Sequence, residues 1–303
     1  MKAARINEWG QPATVEEIEQ PTAGPGEVLV RVHAASVNPI DRAIAAGYLQ
    51  MMYTAPLTLG TDFSGEVVAV GADVQHVTPG TAVYGMNLNR GAFAEYVVVT
   101  AAGVAPKPQS LDHVHAAAVP LAGLSAWQTL YTLARLQPGE RILIHGAGGG
   151  IGSFAVQLAK NTGAYVIAHD KADSSAFLEQ LGADEVITAD NQRFEEVVGT
   201  VDVVLDLVGG DYVERSFAVL PAGGRYVTTA AQLPPDAGKE QGIVAAGTFT
   251  QPTVDELRHL ADAIDTGKLK VFVNATYPLA DTQTALYAKP QGQAPGKVVV
   301  TIV

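Results

Sequence analysis

A glycine-rich turn between an apolar segment and a helical pattern carries the clearest chemical signal in the sequence. The apolar run 141–145 is followed by Ala147, Gly149 and Gly152 in the spacing Ala-x-Gly-x-x-Gly, and then by the helical pattern 153–160. Glycines at these positions let the backbone approach a pyrophosphate, which the N-terminus of the next helix binds with its amide hydrogens and dipole. A glycine turn without a ligand is the alternative, but the complete strand–turn–helix order favours a dinucleotide site. The expected contacts are Ala147, Gly148, Gly149, Gly150, Ile151 and Gly152.

An acidic residue follows this turn at the end of the next strand pattern. Asp170 comes after the run 165–169, where a carboxylate can accept hydrogen bonds from the adenosine ribose. A helix cap or a solvated turn residue is its alternative role. The carboxylate would repel a 2′-phosphate and so favours NAD(H), whereas Lys171 would attract that phosphate. The choice between NAD(H) and NADP(H) stays open on these residues.

Composition excludes several other kinds of chemistry. The 303 residues include no cysteine, which rules out thiolate nucleophiles, disulfides and thiolate-bound zinc. The 7 histidines show no HxxxH spacing, and we expect no metal site. With 19 Lys and Arg against 31 Asp and Glu, the net charge of −12 would repel a phosphate backbone. We therefore expect a small-molecule substrate and no nucleic-acid partner.

The pattern of elements changes along the chain. Residues 1–100 show short alternating strand patterns separated by Pro and Gly, which is typical of a small β barrel or sandwich. From about residue 112, Ala-rich helical patterns appear, and strands then alternate with helices, which predicts βαβ units and a parallel sheet. Strand patterns return at 270–277 and 297–303, so the C-terminal end is expected to rejoin the first domain.

These changes predict two domains. One comprises residues 1–118 and 268–303, and the other, which binds the dinucleotide, comprises residues 119–267. No apolar run reaches the roughly 18 residues of a membrane helix, and no apolar signal segment follows the N-terminal lysine. We expect a cytoplasmic protein that does not insert into membranes.

Motifs spread over nearly the whole chain carry a family resemblance. They are SVNPID at 36–41, LGTDFSG at 59–65, AAAVPLAGLSAWQTL at 116–130, HGAGGGIGSFAVQLAK at 145–160, LGADEVI at 181–187 and GKVVV at 296–300. In this order they resemble the zinc-free quinone oxidoreductases, the zeta-crystallin-like family of the medium-chain dehydrogenase/reductase superfamily. The resemblance implies an α/β protein with a doubly wound parallel Rossmann sheet and a GroES-like, mostly-β barrel domain. It also implies a homodimer and zinc-independent hydride transfer from NAD(P)H to a quinone or an activated enone.

The resemblance also implies acceptor-site residues. It places Asn38 beside the nicotinamide and the substrate, where its amide donates to a carbonyl oxygen, although capping the next helix is an alternative. Tyr48 matches an aromatic hydroxyl that lines the acceptor pocket and can donate a proton, with ordinary packing as its alternative. For Asp41, capping a helix or orienting a neighbour is favoured over a direct role. Tyr53 is interpreted as pocket lining or, more commonly, as a packing residue.

Further coenzyme contacts are expected from the same resemblance. Ser125 matches a hydroxyl near the nicotinamide carboxamide, and Lys297 is considered either a phosphate ligand or a solvated residue. The remaining contacts lie at strand ends on the carboxyl edge of the sheet, at Val208, Gly209, Thr229 and Ala230.

Several departures from the family pattern leave alternatives open. Members generally hold the phosphate of NADPH at positions that carry Lys171, Asp173 and Ala189 here, so NADP(H) and NAD(H) are both retained. A trans-2-enoyl thioester reductase is a second enzyme hypothesis. A non-catalytic nicotinamide-nucleotide sensor or structural protein is a third, since Ala45 and Ala46 replace the basic residue that usually precedes this Gly-Tyr pair.

Overall fold

A computed structural model describes residues 1–288 and 296–302. The chain divides into two compact units, the first formed by Met1–Leu121 with Pro252–Val303 and the second by Ala122–Gln251. In chain order the strands are β1 (Lys2–Ile6), β2 (Thr14–Glu17), β3 (Glu27–Ser36), β4 (Leu57–Thr58), β5 (Asp62–Val70), β6 (Ala82–Met86), β7 (Tyr96–Thr100), β8 (Val104–Pro106), β9 (Arg141–His145), β10 (Tyr165–Asp170), β11 (Glu185–Thr188), β12 (Val203–Asp206), β13 (Arg225–Thr228), β14 (Val244–Gly247), β15 (Val273–Pro278) and β16 (Lys297–Thr301). The α-helices are α1 (Pro39–Ala45), α2 (His113–Ala117), α3 (Pro120–Trp127), α4 (Gly150–Thr162), α5 (Ser175–Gln180), α6 (Phe194–Val197), α7 (Tyr212–Phe217), α8 (Val254–Asp265) and α9 (Thr282–Tyr287).

The first unit is a β structure with a buried aliphatic core. One sheet has the strand order β15-β16-β3-β5-β6-β8 with β7 also paired to β3, and a second sheet has the order β2-β1-β4. Alternate residues of β3, namely Val28, Val30 and Val32, are fully buried. They pack in one cluster with Phe63 and Phe93, as the alternating apolar pattern of this strand predicts.

Helix α8 belongs to the first unit, although the sequence-based division assigned it to the dinucleotide-binding domain. The buried hydroxyl of Tyr84 in β6 donates to the carbonyl oxygen of Leu257 in α8. At the end of the helix, the Asp265 carboxylate accepts hydrogen bonds from the backbone amides of Gln109 and Ser110 at 3.0 and 2.9 Å. These contacts join α8 to residues distant in sequence, which composition along the chain does not reveal.

The second unit is a parallel sheet of doubly wound order. Its strands lie in the order β11-β10-β9-β12-β13-β14, and each neighbouring pair is parallel. Chain order reverses between β9 and β12, so ligands of such a sheet bind at the carboxyl ends of these two strands. The glycine-rich turn directly follows β9.

Across residues 1–288 and 296–302, no helix is both long and apolar enough to span a lipid bilayer.

Candidate coenzyme and acceptor sites

The turn between β9 and α4 presents backbone amides at a helix N-terminus. Gly146 adopts a positive φ of 72°, which a glycine tolerates without strain. The first helical hydrogen bond runs from the Ser153 amide to the Gly149 carbonyl oxygen at 2.9 Å, so the amides of residues 150–152 have no partner within the helix. A Cβ on Gly152 would lie 2.4 Å from the Gly146 carbonyl oxygen. This position therefore requires glycine for the close packing of helix against strand.

Asp170 is fixed against this turn. Its Oδ2 accepts a hydrogen bond from the Gly148 amide at 2.6 Å, and its Oδ1 accepts one from the Lys171 amide at 2.7 Å. A Cβ on Gly148 would lie 2.8 Å from the Ser174 hydroxyl oxygen, so the segment after β10 packs closely on the turn. The structure thus brings together the two predicted elements of dinucleotide recognition, the glycine turn and the acidic strand end.

The ends of β12 and β13 form a second part of the same sheet edge. The Asp206 carboxylate accepts hydrogen bonds from the amides of Val208 and Gly209 at 2.8 and 3.0 Å, and its other oxygen accepts one from the Tyr226 hydroxyl. A Cβ on Gly209 would lie 2.8 Å from the Ala230 carbonyl oxygen. Asp206, which the sequence analysis did not single out, therefore shapes the turn that carries two predicted contacts.

The turns after β9 and β12 are in contact. A Cβ on Gly146 would lie 3.2 Å from Cγ2 of Val208, so the predicted pyrophosphate turn and the β12 turn share one edge. Thr229 is half-buried at the end of β13. Ser125 is buried, and its hydroxyl lies 2.5 Å from that of Thr250.

A buried histidine pair lies beneath the glycine turn and was not predicted. The Nδ1 atoms of His145 and His169 are 2.8 Å apart, and Nε2 of His145 lies 3.1 Å from the Ser216 hydroxyl. Burial lowers the pKa of both imidazoles, so both are neutral at pH 7 and one ring nitrogen of the pair must donate to the other. The His169 carbonyl oxygen also accepts a hydrogen bond from the Gly146 amide at 3.0 Å. The pair therefore braces the backbone that forms the turn.

In the first unit, Asn38 lies in a buried polar cluster. It is 1% exposed, its Nδ2 donates to Asp62 Oδ2 at 2.9 Å, and its Oδ1 accepts a hydrogen bond from the Lys297 ammonium. The same ammonium donates to the Val37 carbonyl oxygen at 3.0 Å. The Asn38 side chain is thus held from both ends, by groups that the sequence analysis had not connected to it.

Lys297 is buried within the first unit. It is 8% exposed, and burial lowers the pKa of its ammonium, while the Asp62 and Asp41 carboxylates oppose that shift. Burial likewise raises the pKa of Asp62, against the attraction of Lys297. The solvated lysine considered from sequence is therefore excluded, and the ammonium donates to the Val37 carbonyl oxygen and to Asn38 Oδ1.

Asp41 anchors the backbone of Asn38. Its Oδ2 accepts a hydrogen bond from the Asn38 amide at 2.8 Å, and its Oδ1 accepts one from the Thr61 hydroxyl at 2.9 Å. Burial raises the pKa of Asp41 to about 6, although both hydrogen bonds oppose this shift. The Asp41 side chain has no surface exposure. It orients its neighbours, which is one of the two roles that the sequence favoured for it.

Two tyrosines near this cluster differ in their surroundings. Tyr48 is 82% exposed. Tyr53 is half-buried, and its hydroxyl oxygen accepts a hydrogen bond of 2.6 Å from the buried Arg90 guanidinium. Neither Tyr53 nor Arg90 carries a recognisable motif, so only the structure reveals this contact.

Metal ligands are not grouped in the part of the chain that the structure describes. Among residues 1–288 and 296–302, no three His, Asp or Glu side chains are placed to share a metal ion.

Comparison with known proteins identifies the class. A family described as "Alcohol dehydrogenase GroES-like domain" matches residues 24–109, and one described as "Zinc-binding dehydrogenase" matches residues 181–300. The Mus musculus protein named "NAD(P)H oxidoreductase RTN4IP1, mitochondrial" is 34% identical over 92% of this chain and 82% of its own length. The quinone oxidoreductase from Coxiella burnetii is similar in structure, with a TM-score of 0.90, 32% identity, and coverage of 100% of this chain and 99% of that chain. CurK enoyl reductase gives a TM-score of 0.89 at 28% identity, over 100% of this chain and 99% of that chain.

A GroES-like part combined with a doubly wound dinucleotide-binding sheet defines a nicotinamide-dependent dehydrogenase or reductase. The chain belongs to the medium-chain dehydrogenase/reductase superfamily and is quinone oxidoreductase-like. It is an NAD(P)H-dependent oxidoreductase that acts on a small molecule. The predictions of family, fold class and enzyme class are confirmed.

Proposed function

We propose that this enzyme reduces quinones or activated enones with a reduced nicotinamide coenzyme and without zinc. The observation that supports this most directly is the glycine turn and Asp170, which lie together at the reversal of a parallel sheet. The names of two structural relatives, a quinone oxidoreductase and an enoyl reductase, support an acceptor that is a quinone or a conjugated carbonyl compound. Independence from zinc is proposed because the chain has no cysteine.

The residues at the sheet edge fit the coenzyme. Gly149 is exposed and a Cβ there would meet only the Gly146 carbonyl oxygen, at 3.2 Å, so the surface of the turn is open to a pyrophosphate. The proposed contacts are Ser125, Ala147, Gly148, Gly149, Gly150, Ile151, Gly152, Asp170, Lys171, Val208, Gly209, Thr229 and Ala230. Bound there, the coenzyme supplies a hydride, and the chain supplies position and the exclusion of water.

For the coenzyme's ribose, we propose that NADH is preferred to NADPH. Two backbone amides hold the Asp170 carboxylate at the turn, where its charge would repel a 2′-phosphate. Lys171 is exposed at the next position and would attract that phosphate. We favour the repulsion by Asp170 over the attraction by Lys171 because Asp170 is held in a fixed position.

On the acceptor side, the proposed residues are Asn38, Asp41 and Tyr48. Tyr48, which is 82% exposed, is proposed to contact the acceptor. Asn38 and Asp41 are buried and hydrogen-bonded to each other, and are proposed to hold the acceptor side of the site in place. Lys297 is proposed to act through Asn38.

We also propose a homodimer that forms through the edge strand β14. Val244 in this strand is 60% exposed, and Phe249 just beyond it is 89% exposed, which is typical of a surface that a second copy covers. Size-exclusion chromatography with light scattering tests this, with Phe249→Asp expected to give monomers.

Cytoplasmic localisation remains a prediction.

The enoyl thioester reductase remains the second candidate, because CurK enoyl reductase shares the whole fold. One experiment separates the hypotheses. NADH and NADPH are first titrated into the purified protein by calorimetry, and coenzyme oxidation is then followed with benzoquinone, cyclohexenone and crotonyl pantetheine. Turnover of the quinone or the enone supports the proposal, and turnover of the thioester alone supports the second candidate. Coenzyme binding without turnover of any acceptor would favour the non-catalytic sensor.

A further inference from the structure

Arg90 is a buried cation whose hydrogen-bond acceptors are neutral. It is 7% exposed and donates to the Tyr53 hydroxyl at 2.6 Å, the Thr61 hydroxyl at 3.1 Å and the Asn87 carbonyl oxygen at 3.4 Å. It also has a positive φ of 70°, which is uncommon for a residue with a side chain. Burying a guanidinium is costly, and the charge of the nearby Asp41 carboxylate offsets part of that cost.

The contact with Arg90 changes the chemistry of the Tyr53 hydroxyl. Because the phenol oxygen accepts a hydrogen bond from a cation, its own O–H is left to donate to another group. A charged donor on that oxygen strengthens the O–H as a hydrogen-bond donor. The guanidinium also lies over the Tyr53 ring, with Cζ 5.3 Å from the ring centroid, which fixes the ring's orientation.

Arg90 is in turn held by the cluster around Asn38. The Thr61 hydroxyl that accepts from Arg90 donates to Asp41 Oδ1 at 2.9 Å, and Asp41 Oδ2 accepts from the Asn38 amide at 2.8 Å. Tyr53 is therefore connected to Asn38 by an unbroken series of hydrogen bonds. Such a network holds a reacting group in one position before the substrate arrives.

Apolar side chains are exposed on the two segments that carry Tyr53 and Arg90. Met51 and Met52 are 99% and 71% exposed, and Leu88 is 39% exposed. Exposed methionines and large aliphatic side chains mark surfaces that bind apolar molecules of varied shape. The exposed surface beside Tyr53 therefore suits an apolar ligand.

We propose that Tyr53, positioned by Arg90, is the acid that protonates the carbonyl oxygen of an apolar enone or quinone. The proposal rests on the proposed function. As a hydride adds to the acceptor carbon, one electron pair moves onto the acceptor oxygen, and the Tyr53 O–H bond breaks as its proton forms a new O–H bond there. Water then returns a proton to the phenolate, and Arg90 stays protonated throughout. Tyr53 is thus a catalytic residue and Arg90 a positioning residue.

The test compares Tyr53→Phe with the wild type, with cyclohexenone as acceptor. We expect kcat to fall by about 100-fold or more, the lower end of what a general acid contributes, while calorimetric affinity for NADH is unchanged. The solvent deuterium isotope effect on kcat is expected to disappear in the variant. Tyr287→Phe, which alters an exposed tyrosine of the same unit, is the matched control and should behave as the wild type.

Arg90 is tested by Arg90→Met and Arg90→Lys, with circular dichroism to verify folding. Arg90→Met should lower kcat nearly as far as Tyr53→Phe does, and Arg90→Lys should restore part of it because the cation returns. The proposal is overturned if Tyr53→Phe keeps its solvent isotope effect and a kcat within about twofold of the wild type. It is also overturned if Tyr48→Phe loses kcat and the isotope effect while Tyr53→Phe does not. If the wild type itself reduces neither benzoquinone nor cyclohexenone, the proposed function has failed instead.

Discussion

The Asp170 carboxylate accepts a hydrogen bond from the Gly148 amide, with 2.6 Å between Oδ2 and the nitrogen. Asp170, which is proposed to accept hydrogen bonds from the coenzyme's ribose, therefore also supports the glycine turn. Under the coenzyme site proposed above, the choice between NADH and NADPH and the shape of the glycine turn depend on the same side chain. A substitution must therefore separate its charge from its hydrogen bond.

Asp170→Asn is expected to shift coenzyme preference toward NADPH. The amide oxygen of asparagine can still accept from Gly148, whereas the negative charge that would repel a 2′-phosphate is removed. We expect the ratio of NADPH to NADH affinity to rise by about tenfold, equivalent to about 1.4 kcal/mol. Calorimetric titration with each coenzyme measures this ratio.

The control for this experiment is Asp173→Asn, because Asp173 is an exposed carboxylate in the same segment. It should leave the ratio near that of the wild type. An unchanged ratio in Asp170→Asn as well would mean that Asp170 only supports the turn and does not discriminate between the coenzymes.

Gly149→Asp is expected to abolish coenzyme binding. Gly149 has a φ of −75°, which any residue adopts, and a Cβ would lie 3.2 Å from the Gly146 carbonyl oxygen, so the backbone tolerates a side chain with a small adjustment. A carboxylate there would face the pyrophosphate. Gly149→Asn, nearly identical in size, should keep more affinity for NADH in the same titration. Equal losses of NADH affinity in the two variants would indicate steric hindrance. Full affinity in Gly149→Asp would show that this turn does not bind the coenzyme.

The second unit was predictable because its signals are local. The apolar run that forms β9, the glycine turn and α4 follow one another in the sequence, so periodicity and glycine spacing suffice. The polar cluster around Asn38 was not predictable, because its contacts join residues that are distant in the sequence. Lys297 donates to Asn38 across 259 positions, and Arg90 reaches Tyr53 across 37. A buried lysine and a surface lysine look alike in sequence, so the position of Lys297 required the fold.

Asp41 is expected to make the stability of the first unit depend on pH. Burial raises the pKa of Asp41 to about 6, above the value of about 4 for an unfolded chain, so the native state binds more protons between these values. Stability from this group is therefore fully present below about pH 4, falls as pH rises to about 6, and is constant above that. The raised pKa corresponds to at most about 3 kcal/mol.

Urea unfolding of the wild type and Asp41→Asn between about pH 4 and pH 7 measures this effect. Trp9, which packs against the core of the first unit, serves as the fluorescence probe. The free energy of unfolding of the wild type should fall relative to that of the variant as pH rises, whatever their absolute difference. Asp255→Asn, an exposed substitution in α8, should follow the wild type. Parallel curves for the wild type and Asp41→Asn would show that Asp41 does not titrate in this range.

Replacement of Lys297 distinguishes a positioning role from a phosphate contact. In the structure its ammonium donates to the Val37 carbonyl oxygen and to Asn38 Oδ1. Lys297→Met therefore frees one end of the Asn38 amide and removes the cation near the buried Asp62 carboxylate. Breaking such a buried charge cluster costs about 3–5 kcal/mol in unfolding free energy. The decisive measurement is the coenzyme affinity of the folded variant, compared at low temperature with that of the wild type. If Lys297 acts through Asn38, kcat falls and NADH affinity stays the same. A loss of NADH affinity with kcat unchanged at saturation would return Lys297 to the phosphate role considered from the sequence.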